Sequence, residues 1–288
     1  MKKIAQVMRA KGRHWVGDRF PVRSLFSYVP DAEAVSPFLL FDYAGPHVFE
    51  PTDRPRGVGQ HPHRGFETVT IVYDGEVSHR DSTGSGGTIG PGDVQWMTAA
   101  GGILHEEFHS PEYTKTGGPF RMVQLWVNLP AKDKSAPAGY QAIADGQIPA
   151  VELPKGAGRA RIIAGDFAGT RGPARTFSPV NVWDVRLEGG AEVELEVPEG
   201  HNAMIAVLSG QVTVNGSEEA GEAEAIRFER EGTTVRIRAG EAAMLLVLSG
   251  EPLNEPVAGY GPFVMNTEAE IRQTIDDFNR GRFGRIAN

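Results

Sequence analysis

The chain has 288 residues, 29 Lys and Arg against 37 Asp and Glu for a formal charge of −8, and no cysteine. That length suits two domains of roughly 140 residues or one large β domain, and the negative balance argues against an affinity built on neutralising phosphates, so no direct nucleic-acid binding is expected. Without cysteine, disulfides, thiolate zinc sites, iron–sulfur clusters and Cys nucleophiles are excluded, and any metal must rest on His, carboxylate or carbonyl ligands.

Met1-Lys2-Lys3 is followed by Gln6, Arg9, Lys11 and Arg13 rather than by an apolar stretch. No signal peptide is expected, and the chain reads as cytoplasmic. Its 36 Gly and 20 Pro punctuate short β-branched runs, the pattern of an all-β sandwich or barrel. Strands are predicted over residues 67–73, 92–97, 120–128, 204–208, 211–215, 233–238 and 242–248. The last is the longest wholly apolar run and falls far short of the roughly 20 residues that span a bilayer, so no membrane segment is expected. Residues 131–158, with Lys132, Asp133, Lys134, Ser135 and Pro137, carry few large apolar side chains and read as a connection. They place a boundary between a domain over 1–135 and a domain over 136–288. Near the end, Thr267 and Glu270 form a capping box, and Ile271, Ile275 and Phe278 share a helical face before Gly281, predicting an amphipathic helix over 267–280.

The segment Ile71-Val72-Tyr73-Asp74-Gly75-Glu76-Val77 has a counterpart in Ala206-Val207-Leu208-Ser209-Gly210-Gln211-Val212, and Gly90-Pro91-Gly92-Asp93-Val94 parallels Arg238-Ala239-Gly240-Glu241-Ala242. Two copies of one antiparallel barrel in tandem are the simplest reading.

The eight histidines are unevenly distributed. His61-Pro62-His63 sets two imidazoles at i and i+2, which share one face of an extended strand. His105 and Glu107 repeat that spacing after Gly101-Gly102, whose backbone freedom lets the chain turn back into the sheet. Two such strands side by side would offer three nitrogens and one oxygen, a donor set that suits Fe(II), Ni, Mn, Cu or Zn and leaves coordination positions open. If the strand ran unbroken from His61, Glu67 would share its inward face as a fifth ligand or an acceptor for a ligand's N–H. His109 reads as rim, His79 as solvent-facing, and His14, His47 and His201 as structural or surface residues. Matching the repeats at Gly75 with Gly210 and at Gly92 with Gly240 sets Glu196 and Pro198 opposite His61 and His63, and Leu253 and Glu255 opposite His105 and Glu107. On that alignment the second copy lacks the imidazoles, and one metal per chain is expected, in the N-terminal barrel.

At these residues the sequence resembles the pirin family of bicupins. The resemblance is carried by His61-Pro62-His63-Arg64-Gly65-Phe66-Glu67-Thr68, by residues 91–99 followed by Gly102-Ile103-Leu104-His105 and Glu107, by Gln124-Leu125-Trp126-Val127-Asn128-Leu129-Pro130, and by the stretch 252–265 with the closing helix. It implies two tandem cupin barrels of jelly-roll type and one mononuclear metal, usually iron, held by His61, His63, His105 and Glu107. Bacterial members resemble quercetin 2,3-dioxygenases, which use the metal and O2 to open the central ring of a flavonol, with Glu107 as the candidate catalytic base and Phe66, Trp96 and Phe108 as candidate pocket residues. Animal members serve as regulators acting through protein partners, so a metal-binding interaction protein without turnover is the alternative. The basic residues are mostly Arg, and no Lys/Arg cluster resembles a nuclear import signal, which favours the enzyme reading, with a small aromatic substrate and a monomeric chain.

Overall fold

The computed structural model describes the chain except Lys11, Asp18, Arg19, Ala287 and Asn288. Short runs of β-branched and aromatic residues, cut by Gly and Pro turns, form antiparallel strands that group into two compact units.

The first unit comprises Gly12–Arg23, Phe38–Asp145 and Asn254–Asn288. Its seven-stranded sheet runs in the order Gly139–Ile143, Val94–Thr98, Phe66–Asp74, Gly118–Asn128, Phe38–Phe49, Phe20–Ser27 and His14–Val16. A four-stranded sheet runs Gly57–His63, Ile103–His109, Val77–Asp81 and Gly86–Ile89. The second unit comprises Met1–Lys11, Ser24–Pro37 and Gly146–Leu253. Its seven-stranded sheet runs Ile4–Arg9, Glu224–Phe228, Asn202–Ser209, Ala243–Gly250, Val180–Leu187, Gly158–Ala164 and Ala150–Glu152, and its four-stranded sheet Glu192–Glu196, Thr234–Ala239, Val212–Val214 and Glu218–Ala220. Strand for strand the two units have one topology, so the duplication expected from the repeats is present.

The units do not follow a cut at 135/136. Ile4–Arg9 pairs with Glu224–Phe228, and its Ile4 and Val7 pack on the second core. Gly139–Ile143, within the segment expected to connect the halves, pairs with Val94–Thr98 as the matching outer strand of the first barrel. The C-terminal residues belong with the first unit because the helix Glu268–Asn279 is anchored there. Thr267 caps it by accepting from the Glu270 N–H, as the capping box predicts. Its buried positions are Ile271, Thr274 and Asp277, whereas Phe278 is 37% exposed. The face is turned from the expected one because Asp277 accepts from Arg64 Nη1 at 2.8 Å and from Arg282 Nη1 at 2.6 Å. The helix is thereby fixed to the residue that follows His63.

Two glycines show how tightly the metal-side strands are built. At Gly65, with φ +90°, a Cβ would lie 1.9 Å from the carbonyl oxygen of Val264. At Gly102, with φ +123°, it would meet the Phe283 ring at 2.6 Å. Only glycine fits both the backbone angle and the close approach.

Candidate metal centre

Gly57–His63 is the outer strand of the four-stranded sheet. Pro62 is tolerated there because an edge strand does not need every N–H. Its neighbour Ile103–His109 sets His105 directly across from His61, and the register then shifts so that Glu107 faces Val58. This bulge re-aims the strand beside the site. The His61, His63 and His105 rings come together with centroids 4.2–4.8 Å apart. One nitrogen from each ring lies within 4.8 Å of the others.

The donor chemistry fits a metal ion. His61 Nδ1–H donates to the Gly59 carbonyl at 2.8 Å, which leaves Nε2 as the lone-pair nitrogen. His63 Nδ1 and both ring nitrogens of His105 are buried without a hydrogen-bond partner among the described residues. Burial, helped by the neighbouring imidazoles, drives the pKa values of His63 and His105 well below the ordinary histidine value. Neutral, desolvated imidazoles with unpaired lone pairs are what a divalent transition ion requires.

Glu107 enters the same space but stands outside the three-histidine cluster. Its Oε1 is approached by the Thr70 hydroxyl at 3.3 Å and its Oε2 accepts from Gln124 Nε2 at 3.2 Å. The Thr70 hydroxyl also donates to Gln124 Oε1 at 2.6 Å. Burial raises the Glu107 pKa to about 7, against the lowering effect of the Thr70 and Gln124 hydrogen bonds. His61, His63 and Glu107 form one wall of a cavity of about 310 Å3, whose other walls include Phe20, Val22, Leu40, Met122 and Trp126. A largely apolar cavity with a few convergent polar groups is the usual form of a small-molecule site.

The profile of the Pirin family matches residues 19–127, and that of the Pirin C-terminal cupin domain matches residues 182–284. The chain belongs to the pirin family. This pirin is 56% identical over 283 residues to a Pseudomonas aeruginosa protein named "Putative quercetin 2,3-dioxygenase", covering 98% of this chain and 99% of the relative. It is 35% identical over 261 residues to human Pirin, covering 88% and 85% of the two chains. A crystal structure of a quercetin 2,3-dioxygenase from Acinetobacter baumannii superposes with a TM-score of 0.97 at 54% identity, covering 100% of both chains. An Escherichia coli bacterial pirin in complex with nickel(II) shares the fold, with a TM-score of 0.65 at 20% identity over 86% of this chain and 99% of that one. Both units of this pirin are thus cupin barrels, and its likeness to quercetin 2,3-dioxygenases extends over the whole chain in sequence and structure.

Several expectations about the surroundings are corrected. Gly65 interrupts the strand after His63, so the parity carried from His61 does not hold beyond it. Thr70 is the inward-facing residue, and Glu67 points away from the cavity and accepts from the Thr98 hydroxyl at 2.7 Å. Phe66 is buried edge-on to His63 at 5.1 Å, and Trp126 meets the same ring at 5.4 Å. Trp96 is wholly buried, yet does not line the cavity. Phe108 alternates with Glu107 and faces a separate outer groove with Arg56 and Arg80. His109 is not rim: it is buried among Phe20, Phe49, Tyr113 and Phe120. His79 is not solvent-facing: it lies buried against Tyr140 at 4.4 Å, and burial lowers its pKa to about 4.

The repeat alignment also shifts. The Gly92 turn opens Val94–Thr98, whose partner in the second barrel is Glu224–Phe228, not the strand opened by Gly240. Since His105 faces His61 and Val235 faces Leu195, the counterparts of His61, His63, His105 and Glu107 are Leu195, Val197, Val235 and Ile237. All four lie in the second hydrophobic core. Sequence reading missed Thr70, Gln124 and Asp42, the last a buried residue on the cavity wall. Polar residues at inward positions of otherwise apolar strands were the available signal, visible once the strand phase is known.

Proposed function

We propose that this pirin is a metal-dependent dioxygenase that opens the central ring of flavonols such as quercetin with O2. The observation that carries the reading is the cluster of His61, His63 and His105, two of whose imidazoles, His61 and His63, join Glu107 on the lining of a mostly apolar cavity. The full-length likeness to the Acinetobacter baumannii quercetin 2,3-dioxygenase supports the substrate class. His61, His63 and His105 would hold one divalent ion, with Glu107 as fourth ligand or as base beside it. Fe(II) is the first choice, and the nitrogen and oxygen donors also admit Ni, Mn, Cu or Zn.

When bound, that ion supplies Lewis-acid polarisation of the flavonol oxygens and access to O2 chemistry. The chain's own residues do the rest. Glu107, on the cavity lining beside His61 and His63, takes the proton of the flavonol 3-hydroxyl. Gln124 and Thr70 fix the direction of its carboxylate. Phe20, Val22, Leu40 and Met122 seat the flat rings and exclude water, which strengthens each polar contact within.

Protein reconstituted anaerobically with Fe(II) is expected to consume O2 and bleach the visible band of quercetin when air is admitted. His61→Ala should abolish this, and Glu107→Gln should lower kcat by about 100-fold or more. Metal-replete wild type that removes no quercetin beyond free metal sinks the reading and favours a metal-dependent, partner-binding role.

A further inference from the structure

His63 and His105 both stand where the strand ladder holds them least. His63 is the last residue of the edge strand Gly57–His63, and His105 is the third of Ile103–His109. Gly65, at φ +90°, follows the first, and Gly102, at φ +123°, precedes the second. The backbone therefore leaves regular strand geometry within two or three residues of each imidazole.

The contacts that fix it come from 213 and 201 residues further along the chain. Arg64, which follows His63, donates from Nη1 to Asp277 Oδ2 at 2.8 Å. Its backbone N–H donates to the Pro262 carbonyl at 3.3 Å, and its carbonyl accepts from the Val264 N–H at 3.0 Å. The buried Lys134 ammonium donates to the carbonyls of Gly65 and Val264 at 2.8 and 2.9 Å, which joins the two segments. On the neighbouring strand, Ser82 Oγ accepts from the N–H of Leu104, which precedes His105, at 3.0 Å and donates to the Phe283 carbonyl at 2.6 Å. Asp277 and Phe283 are linked in turn: Asp277 Oδ1 accepts from Arg282 Nη1 at 2.6 Å, and the Arg64 guanidinium lies 5.8 Å from the centre of the Phe283 ring. One stretch, residues 262–283, thus holds the residue after His63 and the residue before His105. Its docking is already supplied by the apolar cluster of Phe263, Met265, Ile271 and Phe283, against which Leu104 packs. The Arg64–Asp277 pair, with side chains 16% and 11% exposed, adds little net stability after desolvation but holds one geometry.

We propose that residues 262–283 form a clasp that sets the separation of His63 and His105, with Arg64–Asp277 and Ser82–Phe283 as its two positioning pairs, and so governs how tightly the imidazoles retain a divalent metal ion. The His63 and His105 ring centroids are 4.7 Å apart. Metal–nitrogen distances hold to within about 0.2 Å, so play in either strand reaches the ion. Outer residues that orient ligands are typically worth about 10- to 100-fold in metal affinity. The proposal rests on the metal site of the reading above and is independent of the substrate.

The test is metal binding rather than turnover. Full-length metal-free protein is titrated with Co(II), followed by the visible absorption of the bound ion, for wild type, Asp277→Asn, Ser82→Ala and the double variant. Each single variant should raise Kd by about 3-fold or more and the double variant by about 10- to 100-fold, with shifted Co(II) bands as the coordination geometry relaxes. Denaturant unfolding of the metal-free proteins separates this from a merely structural role. A stretch that only holds the fold lowers the unfolding midpoint while leaving Kd and the Co(II) spectrum of the folded protein unchanged, and that result overturns the clasp. If the double variant does not fold, the single variants carry the comparison, and Asp277→Glu, which keeps the charge, should recover part of the affinity lost in Asp277→Asn. Wild type that binds no Co(II) overturns the metal site itself, whereas wild-type binding matched by every variant overturns the clasp alone.

Discussion

In the first barrel three imidazoles cluster, and two of them, His61 and His63, line a cavity of about 310 Å3 together with Glu107. In the second, Leu195, Val197, Val235 and Ile237 hold the same places, and Trp183, 1% exposed, stands where the first has Asp42. Strand order matches, and the register differs beside the histidines, where a bulge after His105 sets Glu107 opposite Val58 while Ile237 stays opposite Val193; one interior is a candidate site and the other a packed core. The strand order is therefore compatible with either interior, and inward side chains decide which is built. A buried Val, Ile or Leu contributes about 1.5–3 kcal/mol of hydrophobic stabilisation, whereas a buried polar group contributes only when paired. The first barrel gives up part of that stabilisation for chemistry, and its polar groups are bonded to one another where they can be.

The comparison is broken most directly by counting metal. Elemental analysis of reconstituted wild type should return close to one equivalent per chain, and His61→Ala with His105→Ala close to none. Two equivalents, or metal retained by the double variant, would assign an ion to the second barrel after all. A smaller effect comes from writing the second barrel's residues into the first. Gln124→Val alone removes a donor from buried Glu107 and should cost about 1–3 kcal/mol in denaturant unfolding. The combination Thr70→Ile, Glu107→Ile and Gln124→Val removes the whole bonded group, so it should unfold at denaturant concentrations no lower than those of wild type while losing quercetin turnover. If the triple variant is less stable than Gln124→Val, the polar group is a requirement of the fold.

The mildest prediction concerns pH. Glu67, equivalent to the neutral Asn202, has its pKa raised from 4.5 to about 7, chiefly by burial. Between pH 4.5 and 7 the folded protein binds more protons at this group than the unfolded chain does. Stability from the protonated form is therefore fully present below pH 4.5 and is lost as pH rises through 7, by on the order of 3 kcal/mol. Glu67→Gln, still able to accept from Thr98, should lack this contribution. Compared with wild type, it should gain stability at pH 8 relative to pH 5; equal differences at the two pH values would refute the buried-carboxyl account.

Where sequence reading agrees with the structure, the signal was local. The i, i+2 pair His61/His63 lies on one strand whose alternation carries both imidazoles to one face, where His105 of the next strand joins them. The Thr267/Glu270 cap needs only its own turn to form, and the helix begins where it says. Where it failed, a non-local contact was in control. Gly65, at φ +90° between the strands that end at His63 and begin at Phe66, breaks the parity, so Glu67 lies on the face away from the cavity and Thr70 on the inward face; its close approach to Val264, distant in sequence, is what requires glycine there. On the helix, Asp277 is buried in an ion pair with Arg64, distant in sequence, while Phe278 lies at the edge of the interface against Phe263 and Phe283.

The sequence by itself determined the all-β class, the duplication, the closing helix and which i, i+2 histidine pair shares a strand face, since each rests on a short-range period, a cap or a repeated turn. Only the tertiary structure decided which strand completes which barrel, that Glu107 is tethered by Gln124 and Thr70, and that Gln124 and Asp42 line the cavity. Those features depend on pairing between strands far apart in the chain, where the register is set by the summed packing of both sheets. No window along the sequence contains both partners.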